Sequence, residues 1–332
     1  MDELITLDYG SGGKKTSRLI EGTILPALSN PYLGELGDGA ILPGAPELVF
    51  STDSFVIDPI FFPGGDIGKL AVCGTVNDLA VCGAEPKYLS LALILEEGFP
   101  LADLERVIAS LQTAAEKAGV QVVTGDTKVV EKGRGDKLYI NTSGIGFLKY
   151  PGLSPRKIRE GDAVLVSGTV GDHGTAVMLS RSGLMQGALR SDCAALNGLC
   201  EAILRSGAAV RVLRDPTRGG VATTLNEFVE GTPLGIELDE AAVPVLGSVT
   251  AACELLGLDP LYCANEGKLL AVVAAGDAET VLEAMRSVPE GHDAARIGTV
   301  TGDCPGKLVA RTALGGRRVL QKLTGAQLPR IC

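Results

Sequence analysis

The sequence predicts a two-domain protein in which strands and helices alternate and pack in α/β layers. Its 332 residues exceed the roughly 100–200 residues of one typical domain. Strand and helix patterns follow one another in both halves of the chain. The chain has 44 glycines and no tryptophan, and 45% of its residues are hydrophobic. This composition excludes a disordered chain and is typical of folded, turn-rich packing.

Hydrophobic periodicity predicts the elements of the first half. The helix at 101–118 has the clearest pattern, because Leu104, Val107, Ile108 and Leu111 fall on one face and Gly119 follows its end. In chain order, we expect a strand at 48–57, a helix at 66–80, a strand at 88–95, the helix at 101–118, and strands at 121–124 and 138–147.

A cluster of Pro and Gly residues at 151–155 interrupts the pattern, and we place the domain boundary there. A second series of elements follows, with a strand at 163–167, a helix at 173–181 and a strand at 269–274. We therefore expect an N-terminal domain at 1–153, a C-terminal domain at 154–322, and a flexible tail at 323–332 that carries Cys332.

The charge balance argues against one class of partner. Lys and Arg total 30 and Asp and Glu total 40, so the net charge is −10. Nucleic-acid binders carry a basic face instead. We find neither a run of about 18 apolar residues that would span a membrane nor a basic, apolar leader. The expected location is the cytoplasm, where the eight cysteines would be mostly reduced.

The common nucleotide and metal motifs are absent from the sequence. No Gly-Lys pair is followed by Ser or Thr, so there is no Walker A loop, and neither G-x-G-x-x-G nor C-x-x-C occurs. With only His173 and His292, histidine-based acid–base chemistry or a conventional zinc site is not expected.

Four aspartates in the first half lie beside glycine or polar residues, at or near the expected ends of strands and helices. Carboxylate oxygens suit Mg²⁺, and neighbouring glycines let a phosphate approach the backbone. For any one of them alone, a helix cap or a turn is the favoured interpretation. As a group they favour a metal–phosphate site. They are Asp38, Asp53, Asp78 (preceded by Asn77) and Asp126.

Two further charged residues are candidates for catalysis. Glu266 precedes an apolar strand and is either a base at the rim of a cleft or part of a solvated edge. Lys128 follows Asp126 and is either its basic counterpart or a surface lysine. The glycine-containing loops at 168–174 and 214–220 suit anion contacts or tight structural turns.

Both ends of the chain carry candidate functional segments. The opening segment is glycine-rich and basic, and either closes over phosphates or forms a terminal arm. Cys332 ends the chain and is either an accidental thiol or the tip of a swinging arm, since about eight extended residues span roughly 25 Å. The candidate phosphate contacts at the start are Gly10, Ser11, Gly12, Gly13 and Lys14.

Taken together, these motifs resemble the HypE family of hydrogenase maturation factors over essentially the whole chain. The family lies in the superfamily of aminoimidazole ribonucleotide (AIR) synthetase, selenophosphate synthetase and thiamine-monophosphate kinase. The terminal PRIC distinguishes it from its relatives. The motifs are GSGGK, STDSF, FFPGGDIGKLAVCGTVNDLAVCGA, VTGDTKVV, VSGTVGDHG, RDPTRGGV, ANEGKL and PRIC.

The resemblance implies a fold and an activity. The fold would be the two-domain α+β, AIR synthase (PurM)-like fold, with an N-terminal domain that forms a dimeric β-barrel and a C-terminal α/β-sandwich domain. A HypF-type carbamoyltransferase would load a carbamoyl group on Cys332. ATP-dependent dehydration would convert this S-carboxamide to an S-cyanide, which passes through a HypC–HypD complex to [NiFe] hydrogenase as its cyanide ligand.

The resemblance also implies roles for individual residues. Glu266 would act as the base, Lys128 would position the carbamoyl group, and Cys332 would carry it. The cofactors would be ATP and Mg²⁺. The implied metal ligands are Asp38, Asp53, Asp78 and Asp126. The implied ATP-binding residues are Gly10, Ser11, Gly12, Gly13, Lys14, Asp53, Asn77, Asp78 and Asp126.

Two alternatives remain open. A sister enzyme, similar to selenophosphate synthetase or thiamine-monophosphate kinase, would share the aspartates but not the terminal PRIC, and the first cysteine here is only Cys73. A non-catalytic carrier would use the cysteine arm alone and would not need the four aspartates.

Overall fold

The computed structural model of the chain describes residues 3–11, 13–35, 39–183, 189–312 and 314–323. Its strands form two main sheets and a short β2–β3 ladder. In chain order the elements are α1 Lys14–Leu19, α2 Leu25–Leu28, β1 Leu48–Phe55, β2 Phe61–Phe62, β3 Gly65–Asp66, α3 Ile67–Val81, β4 Ala84–Glu96, α4 Leu101–Ala118, β5 Gln121–Val130, β6 Leu138–Leu148, β7 Ala163–Val166, α5 Asp172–Ser182, α6 Asn197–Arg205, β8 Val210–Arg214, α7 Gly220–Val229, β9 Gly235–Asp239, α8 Gly247–Leu256, β10 Leu270–Val273, α9 Ala278–Arg286, β11 Ala295–Thr301, β12 Leu308–Arg311 and β13 Arg317–Leu320.

The first sheet is a four-stranded layer in the order β1-β6-β4-β5. Its neighbours pair antiparallel except for the parallel pair β4–β5. Within the described residues the sheet stays open, with β1 and β5 as its two edges, and no closed barrel is formed. The two edges therefore keep unpaired backbone groups of the kind that accept a further strand.

Helices α3 and α4 cover one face of this sheet, and small residues let them approach closely. A Cβ atom at Gly68 would lie 2.4 Å from the carbonyl oxygen of Val107 in α4. At Gly74 it would lie 3.0 Å from the Phe55 ring in β1. Because these positions lack a Cβ, α3 packs tightly between β1 and α4 and is buried along nearly its whole length.

The opposite face of the first sheet is open. Along β1 the burial alternates, and Leu48, Phe50, Thr52 and Ser54 are exposed on this face. The Phe50 side chain is 68% exposed, and Leu48 and Ile94 are also exposed. Large apolar side chains on a sheet face beside free edges are typical of a surface that another protein covers.

The second sheet has seven strands in the order β13-β12-β9-β11-β7-β10-β8, with both faces covered. The alternation along β7 demonstrates this, because Val164 and Val166 pack in the core beneath α7, whereas Ala163 and Leu165 pack in the core beneath α6 and α9. Burial on both faces explains why the strand is continuously apolar.

Helix α3 links the two halves. Its residues Leu70, Val72 and Val76 belong to the core of the first sheet, whereas Ala80 and Val81 belong to a core of the second. The end of α3 therefore lies at the junction of the two sheets, which decides where the candidate site forms. None of the described helices is both long and apolar enough to cross a membrane.

The structure confirms the predicted helix at 101–118 and shifts that at 66–80 by one residue, because Asp66 caps α3 by accepting hydrogen bonds from the Gly68 and Lys69 amides. The predicted end of a strand at 124 is wrong. β5 continues to Val130 because it pairs with β4, and Gly125 permits this since its Cβ would lie 2.5 Å from the Leu91 carbonyl oxygen.

The expectation that the candidate aspartates lie at or near element ends is confirmed for two of them, because Asp53 lies two residues before the end of β1 and Asp78 three residues before the end of α3. It is wrong for Asp126, which lies in the middle of β5. Asp38 lies outside the described residues, as do Gly12, Cys332 and most of the expected tail.

Candidate active site

A cleft of about 330 Å³ lies where the first sheet and α3 meet two loops of the second half. Four carboxylates and one guanidinium line it, so it is a strongly polar site. We call it the carboxylate cleft. Its lining residues are Thr52, Asp53, Ser54, Phe55, Gly74, Asp78, Asn141, Asp215, Thr217, Arg218 and Glu266.

Asp53 and Asp78 enter the cleft from neighbouring elements. Asp53 Oδ1 accepts a hydrogen bond from the Ser54 amide at 2.8 Å, and Asp78 Oδ2 accepts one from Ser51 Oγ at 2.7 Å. The missing Cβ of Gly74 brings α3 against β1, where a Cβ would lie 3.6 Å from Asp53 Oδ2. Burial, together with the nearby charge of Asp78, raises the pKa of Asp53.

Asp215 is a third carboxylate in this cleft, and the sequence analysis did not single it out. It follows β8 and is buried. Burial and the nearby charges of Asp78 and Asp53 raise its pKa to about 7. Its signal in the sequence was a carboxylate directly after a strand, but the segment drew attention through its arginines and glycines instead.

Glu266 lies in the same cleft, so the expectation of a solvated edge is wrong. It is only 3% exposed. Its amide donates to Asp192 Oδ1 at 3.1 Å, and its carbonyl oxygen accepts from the Ala194 amide at 3.3 Å. At Gly267 a Cβ would lie 1.8 Å from the Asp192 carbonyl oxygen. These contacts fix the backbone that presents the Glu266 carboxylate.

Asn77 connects the two halves beneath the cleft. Its Oδ1 accepts from the Leu196 amide at 2.7 Å, and its Nδ2 donates to the Ala194 and Glu266 carbonyl oxygens at 3.1 and 3.4 Å. In this structure Asn77 therefore holds α3 to the backbone of the second half. Its contact with ATP stays a prediction.

Asp126 and Lys128 are not in the carboxylate cleft of the same chain. They lie on β5, the opposite edge of the first sheet from β1. Lys128 Nζ pairs with Asp126 Oδ1 at 2.8 Å, and this contact lowers the pKa of Asp126. Both side chains are largely exposed. Asp126 shares the sheet row of Ser54 on the open face, whereas Asp53 faces α3.

A second cavity, of about 290 Å³, lies beside Asp126 and Lys128. The opening segment forms one wall, and we call this cavity the arm pocket. Gly10 packs against β5 so closely that a Cβ would lie 2.5 Å from the Val129 amide nitrogen. Gly13 precedes α1, and Lys14 is its first residue. The arm pocket is lined by Gly10, Thr16, Ile20, Ile24, Leu25, Leu28, Tyr32, Leu33, Gly39, Leu91, Leu93 and residues 122–128.

The two other candidate loops of the sequence differ in their roles. The Gly171 amide donates to Asn265 Oδ1 at 2.8 Å, and Asp172 accepts from Thr169 Oγ1 at 2.5 Å. The loop at 168–174 is thus a tight structural turn that supports the Glu266 segment. The loop at 214–220 contributes Asp215, Thr217 and Arg218 to the cleft.

The donor set of the cleft fits magnesium bound together with phosphate. Mg²⁺ usually takes one or two carboxylates and completes its shell with water and phosphate oxygens. Asp53, Asp78 and Asp215 offer such oxygens, and their mutual repulsion is relieved by a cation. The described part of the chain contains no group of three or more side chains that are already arranged to hold a metal ion.

Comparison with known proteins gives consistent matches over both halves. The family described as AIR synthase related protein, N-terminal domain, matches residues 36–148, and its C-terminal domain counterpart matches residues 159–311. The chain is similar to the carbamoyl dehydratase HypE of Cupriavidus necator, at 51% identity over 99% of this chain and 95% of that protein.

Two solved structures are similar as well. One is a crystal structure of the hydrogenase maturation protein HypE in complex with ATP, with a TM-score of 0.94, 51% identity, and coverage of 98% of this chain and 99% of that chain. The other is a HypE–HypF complex, with a TM-score of 0.80, 48% identity, and coverage of 92% and 99%.

Proposed function

The chain belongs to the HypE family of AIR synthase-related proteins, and on that premise we propose that it uses ATP to dehydrate a carbamoyl group to a cyano group. The carbamoyl group is carried on Cys332 as an S-carboxamide, and the product is an S-cyanide. One observation supports this most directly: Asp53, Asp78, Asp215 and Glu266 meet in a single cleft. A carrier without catalysis would not need such a site.

The chemistry assigns a role to each group. The carboxamide oxygen is a poor leaving group, so ATP first phosphorylates it. The C–O bond then breaks, phosphate departs with the former carbamoyl oxygen, and the nitrogen loses its two protons. Glu266 is the base that accepts a proton from this nitrogen, since its buried carboxylate lines the cleft. The atoms balance, because the oxygen that leaves carbon appears in phosphate, and the second proton leaves with that phosphate.

Asp53 and Asp78 would hold Mg²⁺ together with the nucleotide phosphates. When bound, the ion offsets charge on the transferring phosphoryl group. Burial and the nearby charge of Asp78 raise the pKa of Asp53 in the free protein. A cation bound between the two carboxylates would offset this cost. Asp38 and Asp126 remain proposed ligands from the family resemblance.

A homodimer would complete the site. Edges β1 and β5 are both free in the described chain, and exposed Phe50 and Ile94 lie on the open face between them. Two such sheets that join edge to edge close a barrel and cover these side chains. If β1 of one protomer pairs with β5 of the other, the partner's Asp126 and the partner's Lys128 come beside the strand that carries Asp53.

This arrangement assigns the two cavities to two parts of ATP. The arm pocket has apolar walls with a few polar groups, the kind of lining that suits a flat base and a ribose. The carboxylate cleft suits the phosphates. Gly10 lines the arm pocket, and the residues that follow it, Ser11, Gly13 and Lys14, would cover the nucleotide as part of the opening segment.

The partners follow from the same reaction. A HypF-type carbamoyltransferase loads Cys332, and a HypC–HypD complex receives the cyanide for the [NiFe] site. The HypF partner has support from the similar HypE–HypF complex. We place the reaction in the cytoplasm.

Intact mass spectrometry tests the function. The full chain is carbamoylated by a HypF-type partner and then incubated with and without Mg²⁺–ATP. We expect ATP to remove the mass of one water from the adduct on the C-terminal peptide. Heavy oxygen in the carbamoyl group should appear in the released phosphate.

Three variants serve as controls. Cys332→Ala should take no adduct, whereas Asp78→Asn and Glu266→Gln should take the adduct but retain its water. An adduct that ATP leaves unchanged in the unmodified sequence would identify a carrier instead. Full dehydration by Glu266→Gln would remove Glu266 as the base.

A further inference from the structure

Arg218 lies on a turn whose backbone is strongly constrained. The turn connects β8 to α7 and ends in Gly219 and Gly220, at φ values of +75° and +60°. A Cβ at Gly220 would lie 2.6 Å from the carbonyl oxygens of Cys263 and Leu261. Only glycine fits this conformation and this space, so the backbone of the turn has a fixed position beside the cleft.

Asn265 fixes this turn to the segment that carries Glu266. Both its amide nitrogen and its Nδ2 donate to the Pro216 carbonyl oxygen, at 3.1 and 3.0 Å. Asn265 is fully buried and directly precedes Glu266. Arg218 and Glu266 therefore reach the cleft from two loops that are hydrogen-bonded to each other.

The charge of Arg218 is available to a ligand. Among the described residues that line the carboxylate cleft, Arg218 is the one with a positively charged side chain. Its charge lowers the pKa of Asp53 and so acts against the effect of burial. It makes no ion pair with any residue that the structure describes. By contrast Arg214, four residues earlier, pairs with Glu227 at 3.5 Å and lies outside the cleft.

Because Arg218 stays unpaired beside the carboxylates of the cleft, its guanidinium can bind an anionic ligand directly. The carboxylates can bind the same anion only through a metal ion. Phosphoryl transfer places such an anion there, because charge spreads over three equatorial oxygens as the bond to ADP breaks. A planar guanidinium matches two of these oxygens at once.

We propose that Arg218 contacts the phosphoryl group during its transfer from ATP to the carbamoyl oxygen and stabilises the transition state. This inference rests on the proposed function for the identity of the acceptor. The P–O bond to ADP breaks, a P–O bond to the carbamoyl oxygen forms, and Arg218 exchanges no proton. The residue is thereby assigned a catalytic role in the dehydration.

The test measures phosphate release and water loss with the carbamoylated full chain at saturating ATP. Arg218→Ala should lower kcat by about 100-fold, as the loss of one donor to a developing charge does elsewhere, while the KM for ATP changes only a few-fold. Arg218→Lys should recover part of the loss, because it restores the charge but not the two-point contact.

Arg214→Ala is the matched control and should keep the kcat of the parent chain. Equal midpoints of thermal unfolding would show that all variants fold, and equal carbamoyl loading would give each the same amount of substrate. A kcat for Arg218→Ala within about twofold of the parent would overturn the inference. The inference would also be overturned if Arg218→Ala changed only the Mg²⁺ concentration that is needed for activity. Arg218 would then balance charge in the cleft and not contact the phosphoryl group.

The two readouts separate this inference from the proposed function. If the parent chain releases phosphate but the adduct keeps its water, the dehydration proposal fails, and the ratio of phosphate-release rates still decides the role of Arg218. If the parent chain releases no phosphate with the adduct in place, both proposals fail.

Discussion

A site shared between two protomers makes a quantitative prediction for mixed dimers. Strands β6 and β4 separate β1 from β5, so Asp53 and Asp126 of one chain are three strand spacings apart, or about 14 Å. They also face opposite sides of the sheet. A transferring phosphoryl group cannot contact both within one protomer, so under the proposed function Lys128 would act on the cleft of the partner.

The perturbation places two defects in separate chains. Asp78→Asn keeps the size of the side chain and its contact with Ser51, and removes the charge from the cleft. Lys128→Ala removes an exposed ion pair with Asp126, which costs about 1 kcal/mol of stability at most. Both chains should therefore fold, and each homodimer should lose nearly all of its dehydration activity.

The symmetry of the dimer determines how much dehydration activity the mixture should recover. When equal amounts of the two variant chains reassociate at random, about half of the dimers are mixed. Each mixed dimer has one intact site and one doubly defective site. About a quarter of all sites are therefore intact. The assay is water loss from the carbamoylated chains after mixing. We expect about a quarter of the unmodified activity, with a mass in solution of two chains.

A matched mixture provides the control. Asp78 and Glu266 line the same cleft of one chain, so Asp78→Asn mixed with Glu266→Gln leaves a defect in every cleft and should recover nothing. No recovery in the mixture of Asp78→Asn with Lys128→Ala, from dimers shown to exchange, would refute the shared site. Recovery in the control mixture would refute the assignment of both residues to one cleft.

Two further predictions concern single residues of the cleft. Asn265→Ala leaves the Gly171 amide without its partner and removes one of the two hydrogen bonds to the Pro216 carbonyl oxygen, so it should lower the free energy of unfolding by about 1–3 kcal/mol and reduce kcat more than KM. An unchanged kcat would contradict a positioning role. The raised pKa of Asp215, about 7, means that the folded chain keeps a proton that the unfolded chain loses near its ordinary pKa of 3.8. The stability of the chain should therefore fall as the pH rises from about 4 to about 7. In urea unfolding without nucleotide, Asp215→Asn should be more stable than the parent at pH 8 but not at pH 4. An equal difference in the free energy of unfolding between variant and parent at both pH values would contradict this.

Local patterns in the sequence predicted those elements that depend on local interactions. Helix α4 occupies the predicted residues because its apolar face and the left-handed Gly119 are both encoded within it. The end of β5 was not predictable in this way, because its second half is ordered by pairing with β4. That pairing is also what moves Asp126 from an expected turn to the middle of a strand.

The same distinction applies to the site. The chemistry of Asp53, Asp78 and Glu266 was visible as residue types in polar segments, and the structure brings these three together. The burial of Glu266 depends on Asp192 and Asn77, which are 74 and 189 residues away along the chain. No pattern near Glu266 reports such contacts, so a solvated edge and a catalytic position looked alike in the sequence.

Helix α3 explains why the cleft lies at the junction of the two halves. Neighbouring residues on it have different tasks: Asn77 hydrogen-bonds to the backbone of the second half, and Asp78 presents its carboxylate to the cleft. Because the helix is buried in both cores, a shift between the halves would move Asp78 relative to Asp215 and Glu266. The spacing of the carboxylates is thus set by the packing that joins the two halves, and substitutions at this junction should affect catalysis even where they contact no substrate.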